Sequence, residues 1–244
     1  MSVPKVIHYC WFGRGKLPKL AEKCIRSWKK YCPGYKIVCW NEDNFDINCN
    51  RYVKEAYEAR KWAFVSDYVR LKVLCDEGGI YLDTDVELIK PLDGIIEKGG
   101  YMAFDENGVM CTGLGFACEK GNELVRRLLE DYRDIPFVLP DGKYDMTPCP
   151  DRNLKVLEAL GMDTKNTSQE FMGIRFYPRE YFCPMEYSTG KKKITPNTHS
   201  IHHYSASWTS ATSKRTTFLK RIIGVKLYNK LYGKFLHKFK WLEW

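Results

Sequence analysis

Much that would mark a secreted or membrane-embedded chain is missing from this sequence. No uninterrupted apolar run approaches the roughly 20 residues of a membrane span. The opening MSVPKVIHYCW has no apolar stretch of the kind a secretory leader needs. Cysteine is plentiful, at ten residues, yet no two form a C-x-x-C pair. Most lie inside apolar runs (Cys10, Cys39, Cys75, Cys118), where cysteine behaves as a small hydrophobe. That spacing argues against a disulfide framework and for free thiols in a reducing cytosol. The sequon Asn166-Thr167-Ser168 is then idle. There is no internal repeat and no low-complexity segment. Acid is scarce at one end only. Residues 214–244 carry nine Lys/Arg against Glu243 alone, while the preceding 213 residues hold 30 basic and 29 acidic side chains. The body is almost neutral, and the net charge of +9 belongs to the tail.

What is present suits one globular domain with a short appendage. The 244 residues are 44% apolar and 28% charged, enough for a full core. Aromatic content of 14% suits a large core and also a surface that stacks on bases or sugars. Val3–Phe12 has the character of a buried strand, closed by Gly13 and Gly15. Lys19–Tyr31 has helical periodicity and stops at Pro33-Gly34; Tyr35–Trp40 is a second strand and residues 51–60 a helix. From Ala63 the apolar stripe Phe64, Tyr68, Leu71, Cys75 predicts another helix, ended by Gly78-Gly79. The period then changes to two. Tyr81, Asp83, Asp85 and Glu87 alternate with Leu82, Thr84, Val86 and Leu88, which predicts one strand with both aspartates on one face, roughly 7 Å apart. Such alternation of strands and helices predicts a doubly wound α/β sheet, with ligands at the carboxyl ends of its strands, where Trp11 and Asp83 fall. Further on, residues 101–105, 109–118 and 172–183 are strand-like. Residues 122–133 and a segment opened by Asp151 (151–161) are helical; 134–150 is a loop able to carry acceptor contacts, and 191–199 is turn-rich.

Two carboxylates on one face repel unless water or a cation screens them. A divalent metal holding a pyrophosphate is the economical resident, and the wet face of an amphipathic strand is the plainer alternative. Asp67 and Arg70, spaced i and i+3 beside Ser66, make either a local ion pair or the wall of a ligand crevice. Trp11 is either a core aromatic or a stacking platform, and His8 points into the fold. The adjacent His202 and His203 face opposite sides of an extended segment, so only one can serve a given site. TGLGFA lacks the third glycine of a dinucleotide fingerprint; Gly113 and Gly115 let backbone approach a sugar or relieve crowding in a strand.

Three blocks, KVIHYCWFG (5–13), SDYVRLKVLCDEGGIYLDTDVE (66–87) and SIHHYSASW (200–208), occur in that order. Together they resemble the Asp-x-Asp glycosyltransferases of family 32. The resemblance implies a GT-A fold over residues 1–213, a Rossmann-like mixed sheet flanked by helices, with residues 214–244 as a basic C-terminal helical extension. It implies a retaining transferase that takes a UDP- or GDP-sugar with Mn²⁺ or Mg²⁺ and passes the sugar to a glycan or lipid-linked acceptor in cell-surface polysaccharide synthesis. Asp85 would bind the metal, with Asp83 on the metal, ribose or sugar and His202 completing the set (His203 the fallback). Asp67 and Arg70 would grip sugar hydroxyls and ribose or phosphate, with Ser66 and Tyr81 alongside. Trp11 would stack on the base, and Ser207 and Trp208 would close over the diphosphate. Asp83, Asp85 and Arg70 form the catalytic set. A metal-dependent nucleotide-sugar phosphohydrolase is the runner-up, and a non-enzymatic membrane- or nucleic-acid-binding protein the third reading.

The tail from Phe218 interleaves Lys/Arg with Leu, Ile, Tyr, Phe and Trp. A basic amphipathic helix on an anionic membrane is the favoured reading, over a nucleic-acid arm or a helix packed on its own domain. It implies a cytoplasmic chain attached peripherally to the inner face of the cell membrane, with no nucleic-acid partner.

Overall fold

The computed structural model describes residues 2–205 and 211–231. Ser207, Trp208 and residues 232–244, to which the sequence assigns roles, lie outside the described residues. The strands are β1 (Val6–Cys10), β2 (Lys36–Trp40), β3 (Gly79–Tyr81), β4 (Val86–Leu88), β5 (Gly100–Ala103), β6 (Phe116–Cys118), β7 (Gln169–Phe171), β8 (Ile174–Tyr177) and β9 (Ser200–His202). The helices are α1 (Lys19–Tyr31), α2 (Arg51–Glu58), α3 (Trp62–Glu77), α4 (Asp93–Ile96), α5 (Glu123–Glu130), α6 (Cys149–Ala159) and α7 (Ala211–Ile223).

Seven strands form one mixed sheet in the order β2-β1-β3-β6-β5-β8-β7, the Rossmann-like α/β arrangement that the resemblance implies. β1 runs parallel to both β2 and β3, as the strand–helix alternation requires, but β6 enters antiparallel between β3 and β5. The sheet is therefore mixed and not uniformly doubly wound. A core lies on each face. Phe64, Val65, Val69 and Leu74 of α3 pack on one with Phe116 and Phe176; Cys24 and Trp28 of α1 pack on the other with Ile7, Ile80 and Leu82. α2 is capped by Asn50, whose side chain accepts from the N–H groups of Tyr52 (2.8 Å) and Val53 (3.4 Å). α3 stops where the sequence predicts. Gly78 sits at φ 67°, and a Cβ there would lie 2.6 Å from the Lys120 amide nitrogen, so only glycine fits.

The largest departure concerns the aspartates. The alternation from Tyr81 to Glu87 predicts a single strand; the chain instead leaves the main sheet after Tyr81. Leu82 N–H makes a last bond to the His8 carbonyl (3.0 Å), a turn closes from Val86 N–H to the Asp83 carbonyl (2.9 Å), and β4 pairs with β9 in a separate two-stranded sheet. Trp28 fixes this excursion by donating its indole N–H to the Val86 carbonyl at 2.7 Å. Asp83 and Asp85 thus sit on a turn between two short strands and owe their common direction to that turn. Residues 109–118 are likewise not one strand: Thr112–Leu114 is a 3-10 turn ahead of β6. Residues 172–183 contribute β8 and the 3-10 turn Arg179–Tyr181. Asp151 lies inside the first turn of α6 and does not open it. The tail helix is interrupted: α7 ends before Gly224 (φ 81°), and residues 225–231 resume as helix. All ten cysteines are free, as their spacing predicts. Among the described residues no helix is long and apolar enough to cross a membrane.

Candidate active site

Because β1 and β3 are parallel neighbours, their carboxyl ends open at the same edge of the sheet. Trp11 follows β1 there and Asp83 follows β3. The pairing of β4 with β9 sets Val86 opposite His202, delivering a histidine from the far end of the chain to the same turn. Donor atoms of Asp83, Asp85 and His202 all lie within 4.8 Å of one another. Two carboxylates and an imidazole at such spacing suit a divalent cation in type and charge. Room for a further bond exists. Among the described residues His202 Nδ1 is buried without a hydrogen-bond partner and Asp83 Oδ2 accepts no hydrogen bond.

The two aspartates differ in environment. Burial works against the charge of Asp85, but the His202 ring and the Ser205 N–H outweigh it and hold the carboxyl well below the usual range. The contacts are 3.2 Å from His202 Nε2 to Oδ1 and 2.7 Å from Ser205 N to Oδ2. His202 is correspondingly pushed up to about 9, the Asp85 carboxylate prevailing over burial. At Asp83 burial wins over the Arg70 guanidinium and raises the carboxyl to about 6. Its Oδ1 accepts from Arg70 Nη2 (3.1 Å) and the Tyr81 hydroxyl (2.9 Å).

Arg70 is the hub. Its side chain is 5% exposed and bridges Asp67 and Asp83, each at 3.1 Å from Nη2. The guanidinium lies 5.0 Å from the centroid of the Tyr81 ring, and Nη1 reaches Thr112 Oγ1 at 3.5 Å. Burial raises Asp67 despite this partner. Hence the i, i+3 pair is a true ion pair, and it is also tied to the Asp-x-Asp turn. Ser66 donates back to the Trp62 carbonyl at 3.0 Å, within its own helix. Trp11 is half-buried, its indole N–H donating to the Gly15 carbonyl at 2.6 Å, and it touches none of the acidic residues through a hydrogen bond. His8 points inward as expected: Nδ1 accepts from Trp40 Nε1 (3.0 Å), so Nε2–H donates to the Gly78 carbonyl (3.1 Å). His203 is directed away to Glu87 (2.7 Å), which Lys23 also contacts, whereas His202 is the histidine whose donor atoms lie near both aspartates.

Several residues of this site carry no sequence signal that singles them out. Thr112, Cys149 and Asn153 close the wall behind Arg70, with Thr112 Oγ1 at 3.5 Å from both Cys149 Sγ and Asn153 Nδ2. Gly113 is the exception, since the glycine pair in TGLGFA invites the question of close approach. A Cβ at Gly113 would stand 2.8 Å from Asp83 Oδ2, and one at Gly115 (φ 103°) would stand 2.6 Å from Leu82 Cδ2. Both glycines relieve crowding, and the first does so against the aspartate itself.

Comparison with known proteins shows what this sequence is similar to. Residues 18–100 match the family model described as glycosyltransferase sugar-binding region containing DXD motif. The subversion of eukaryotic traffic protein A of Legionella pneumophila is 26% identical over 161 residues, covering 53% of this chain and 25% of that protein. Inositol phosphoceramide mannosyltransferase 3 of Schizosaccharomyces pombe is 27% identical over 148 residues, covering 55% of this chain and 38% of that protein. The chain thus spans between a quarter and two-fifths of the length of these curated relatives. Among solved structures, the PaToxG glycosyltransferase is similar at 18% identity with a TM-score of 0.49, over 65% of this chain and 70% of that one. Residues 18–100 are thus similar to the DXD-containing glycosyltransferase sugar-binding region, and this stretch includes the Asp-x-Asp sequence Asp83-Thr84-Asp85.

Proposed function

We propose that the chain is a retaining, metal-dependent glycosyltransferase. It takes a nucleotide-diphosphate sugar, with UDP or GDP as the leaving group, and passes the sugar to a glycan or lipid-linked acceptor in cell-surface polysaccharide synthesis. It does so in the cytoplasm, at the inner face of the cell membrane. The carrying observation is the meeting of Asp83, Asp85 and His202 within 4.8 Å at the carboxyl edge of parallel strands. A bound Mn²⁺ or Mg²⁺ would supply Lewis-acid neutralisation of charge on the departing diphosphate. Asp85 and His202 are the residues to hold it, with the free Oδ2 of Asp83 as the third donor. Asp83 is aimed by Arg70 and Tyr81, and its remaining oxygen is open to a metal or a sugar hydroxyl. Asp67 and Arg70 line the crevice for sugar hydroxyls and ribose or phosphate, with Ser66 at its edge. Trp11, just past β1, would stack on the base.

The test is a thermal-shift screen of nucleotide sugars with and without Mn²⁺. A donor at about 100 times its Kd stabilises by about 2.7 kcal/mol, some 5–11 °C for a domain of this size. Asp85→Asn is expected to abolish the Mn²⁺-dependent part while leaving the fold intact; a full shift in that variant would refute the site. Product analysis with and without an added glycan separates transfer from hydrolysis.

A further inference from the structure

Large hydrophobic side chains exposed to solvent are few in the described residues, and they cluster. Phe218, Ile222, Leu227 and Leu231 are 47–63% exposed and fall within fourteen residues. Residues 211–231 also hold six Lys/Arg and no Asp or Glu. The segment is not loose. Thr217 donates to the Tyr187 hydroxyl (3.3 Å), and Arg221 donates twice to the Tyr187 carbonyl, at 3.1 and 2.9 Å. Phe218 and Ile222 each follow one of these anchors by a single residue, so their stripe is turned about 100° from the docked face. Beyond Gly224 the arrangement repeats: Tyr228 is buried while Leu227 and Leu231 face outward.

We infer that the outward face of residues 218–231 is a docking surface for an anionic lipid bilayer. Aliphatic side chains interleaved with cations satisfy both parts of such an interface, the acyl boundary and the head groups. A second copy of the chain fits poorly, because a two-fold contact would set Lys220, Lys226 and Lys230 against their own copies. A nucleic-acid strand would use the charge but leave Ile222, Leu227 and Leu231 without a role. The preceding 213 residues are nearly neutral in sum, so the net positive charge of the chain lies in the segment that carries this face. Its position matters for the acceptor. The Tyr187 ring packs on Tyr204 (5.4 Å between centroids), and Tyr204 packs on His202 (4.3 Å). Two ring contacts therefore separate the anchor of α7 from the metal-ligand set. Resting on the proposal of a lipid-linked acceptor, this places the bilayer beside the site that uses it.

The experiment is co-sedimentation of the full chain with phosphatidylcholine vesicles and with vesicles that are about one-third phosphatidylglycerol, the anionic arm in which each surface cation gains. Expected is at least about tenfold more protein on the anionic vesicles, falling as salt rises from about 0.1 to about 0.5 M. Phe218→Ser with Ile222→Ser, and Lys226→Glu with Lys230→Glu, are each expected to abolish that excess with an unchanged melting temperature. Equal binding to both vesicles, or undiminished binding by either double variant, overturns the inference. So does a dimer in sedimentation velocity that Ile222→Ser dissolves, or displacement from vesicles by single-stranded RNA. Mn²⁺-dependent donor stabilisation is read on the same samples. Its absence from the wild type would defeat the transferase reading while leaving the docking result standing.

Discussion

Gly113→Ala is a small change with a large expected effect. The backbone there is not left-handed, so alanine meets no conformational strain; what it meets is Asp83. The new Cβ would lie 2.8 Å from Oδ2, against 3.4 Å for ordinary contact, so the carboxylate must retreat by about 0.6 Å. It is not free to do so, because Oδ1 is held by Arg70 and by the Tyr81 hydroxyl. A hydrogen bond to a charged group contributes about 1.5–3 kcal/mol, and forcing an extra methyl into a packed site costs about 1–3 kcal/mol. A loss of about 1–3 kcal/mol lowers the melting temperature by about 2–12 °C. Displacing a ligand oxygen by that distance is expected to weaken Mn²⁺-dependent nucleotide binding at least about tenfold, or 1.4 kcal/mol. Titration calorimetry of Mn²⁺ with the nucleotide measures it. Gly100→Ala is the control. Its Cβ would meet the Ala117 carbonyl (2.7 Å) and Ile174 Cδ1 (2.5 Å) within the sheet, so stability falls but affinity holds. Unchanged Mn²⁺-dependent affinity in Gly113→Ala would refute the placement of Asp83 Oδ2 at the cation or sugar.

Removing Arg70 as Arg70→Ala leaves Asp67 and Asp83 facing each other in a buried site, a loss of about 3–5 kcal/mol. Arg70→Lys keeps the charge but not the planar fork, so denaturant melts are expected to place it between Ala and wild type; equal stability of all three would contradict the bridge. His8 predicts a pH effect. Burial lowers it from 6.5 to about 4, so the unfolded chain binds the extra proton first. Its contribution to stability is complete above pH 6.5 and is lost as pH falls toward 4, up to about 3 kcal/mol at 1.36 kcal/mol per pH unit. Urea midpoints at pH 7 and pH 4.5 for wild type and His8→Gln check this; the wild type should lose more. Tyr204→Ala removes the ring between Tyr187 and His202, and is expected to weaken Mn²⁺-dependent binding while sparing vesicle binding.

Local pattern carried part of this structure and not the rest, for physical reasons. β1, α1, β2 and the Gly78-Gly79 stop were legible because each is set by neighbours within a few residues: apolar period, a Pro-Gly break, a positive φ. The opposed directions of His202 and His203 followed from strand alternation alone. The Asp83–Asp85 turn did not. Period two cannot distinguish one strand from two short ones joined by a tight turn, and the partner that separates them is β9, 116 residues beyond Val86 in the Val86–His202 register. The antiparallel entry of β6 is hidden for the same reason, since its direction is decided by pairing with β3 and β5. Thr112, Cys149 and Asn153 come together across 37–41 residues and share no motif.

That turn also changes what the acidic pair can do. Had Asp83 and Asp85 stood on a regular strand, β-sheet rise would fix them roughly 7 Å apart at the Cα and leave their surroundings alike. On the turn, one carboxylate is drawn under Arg70 and Tyr81 and the other onto His202 and the Ser205 amide. Their proton affinities separate in opposite directions from the ordinary aspartate value. Unlike environments give a pair of carboxylates unlike duties. The one pinned by a cation with an open second oxygen suits a shared, exchangeable contact, and the one held on both oxygens by His202 and the Ser205 amide suits a contact kept in one geometry. Exchanging the two environments, by Arg70→Ala on one side and His202→Ala on the other, should therefore impair different steps. The first is expected to weaken discrimination among donor sugars, and the second to weaken Mn²⁺ affinity for every donor alike.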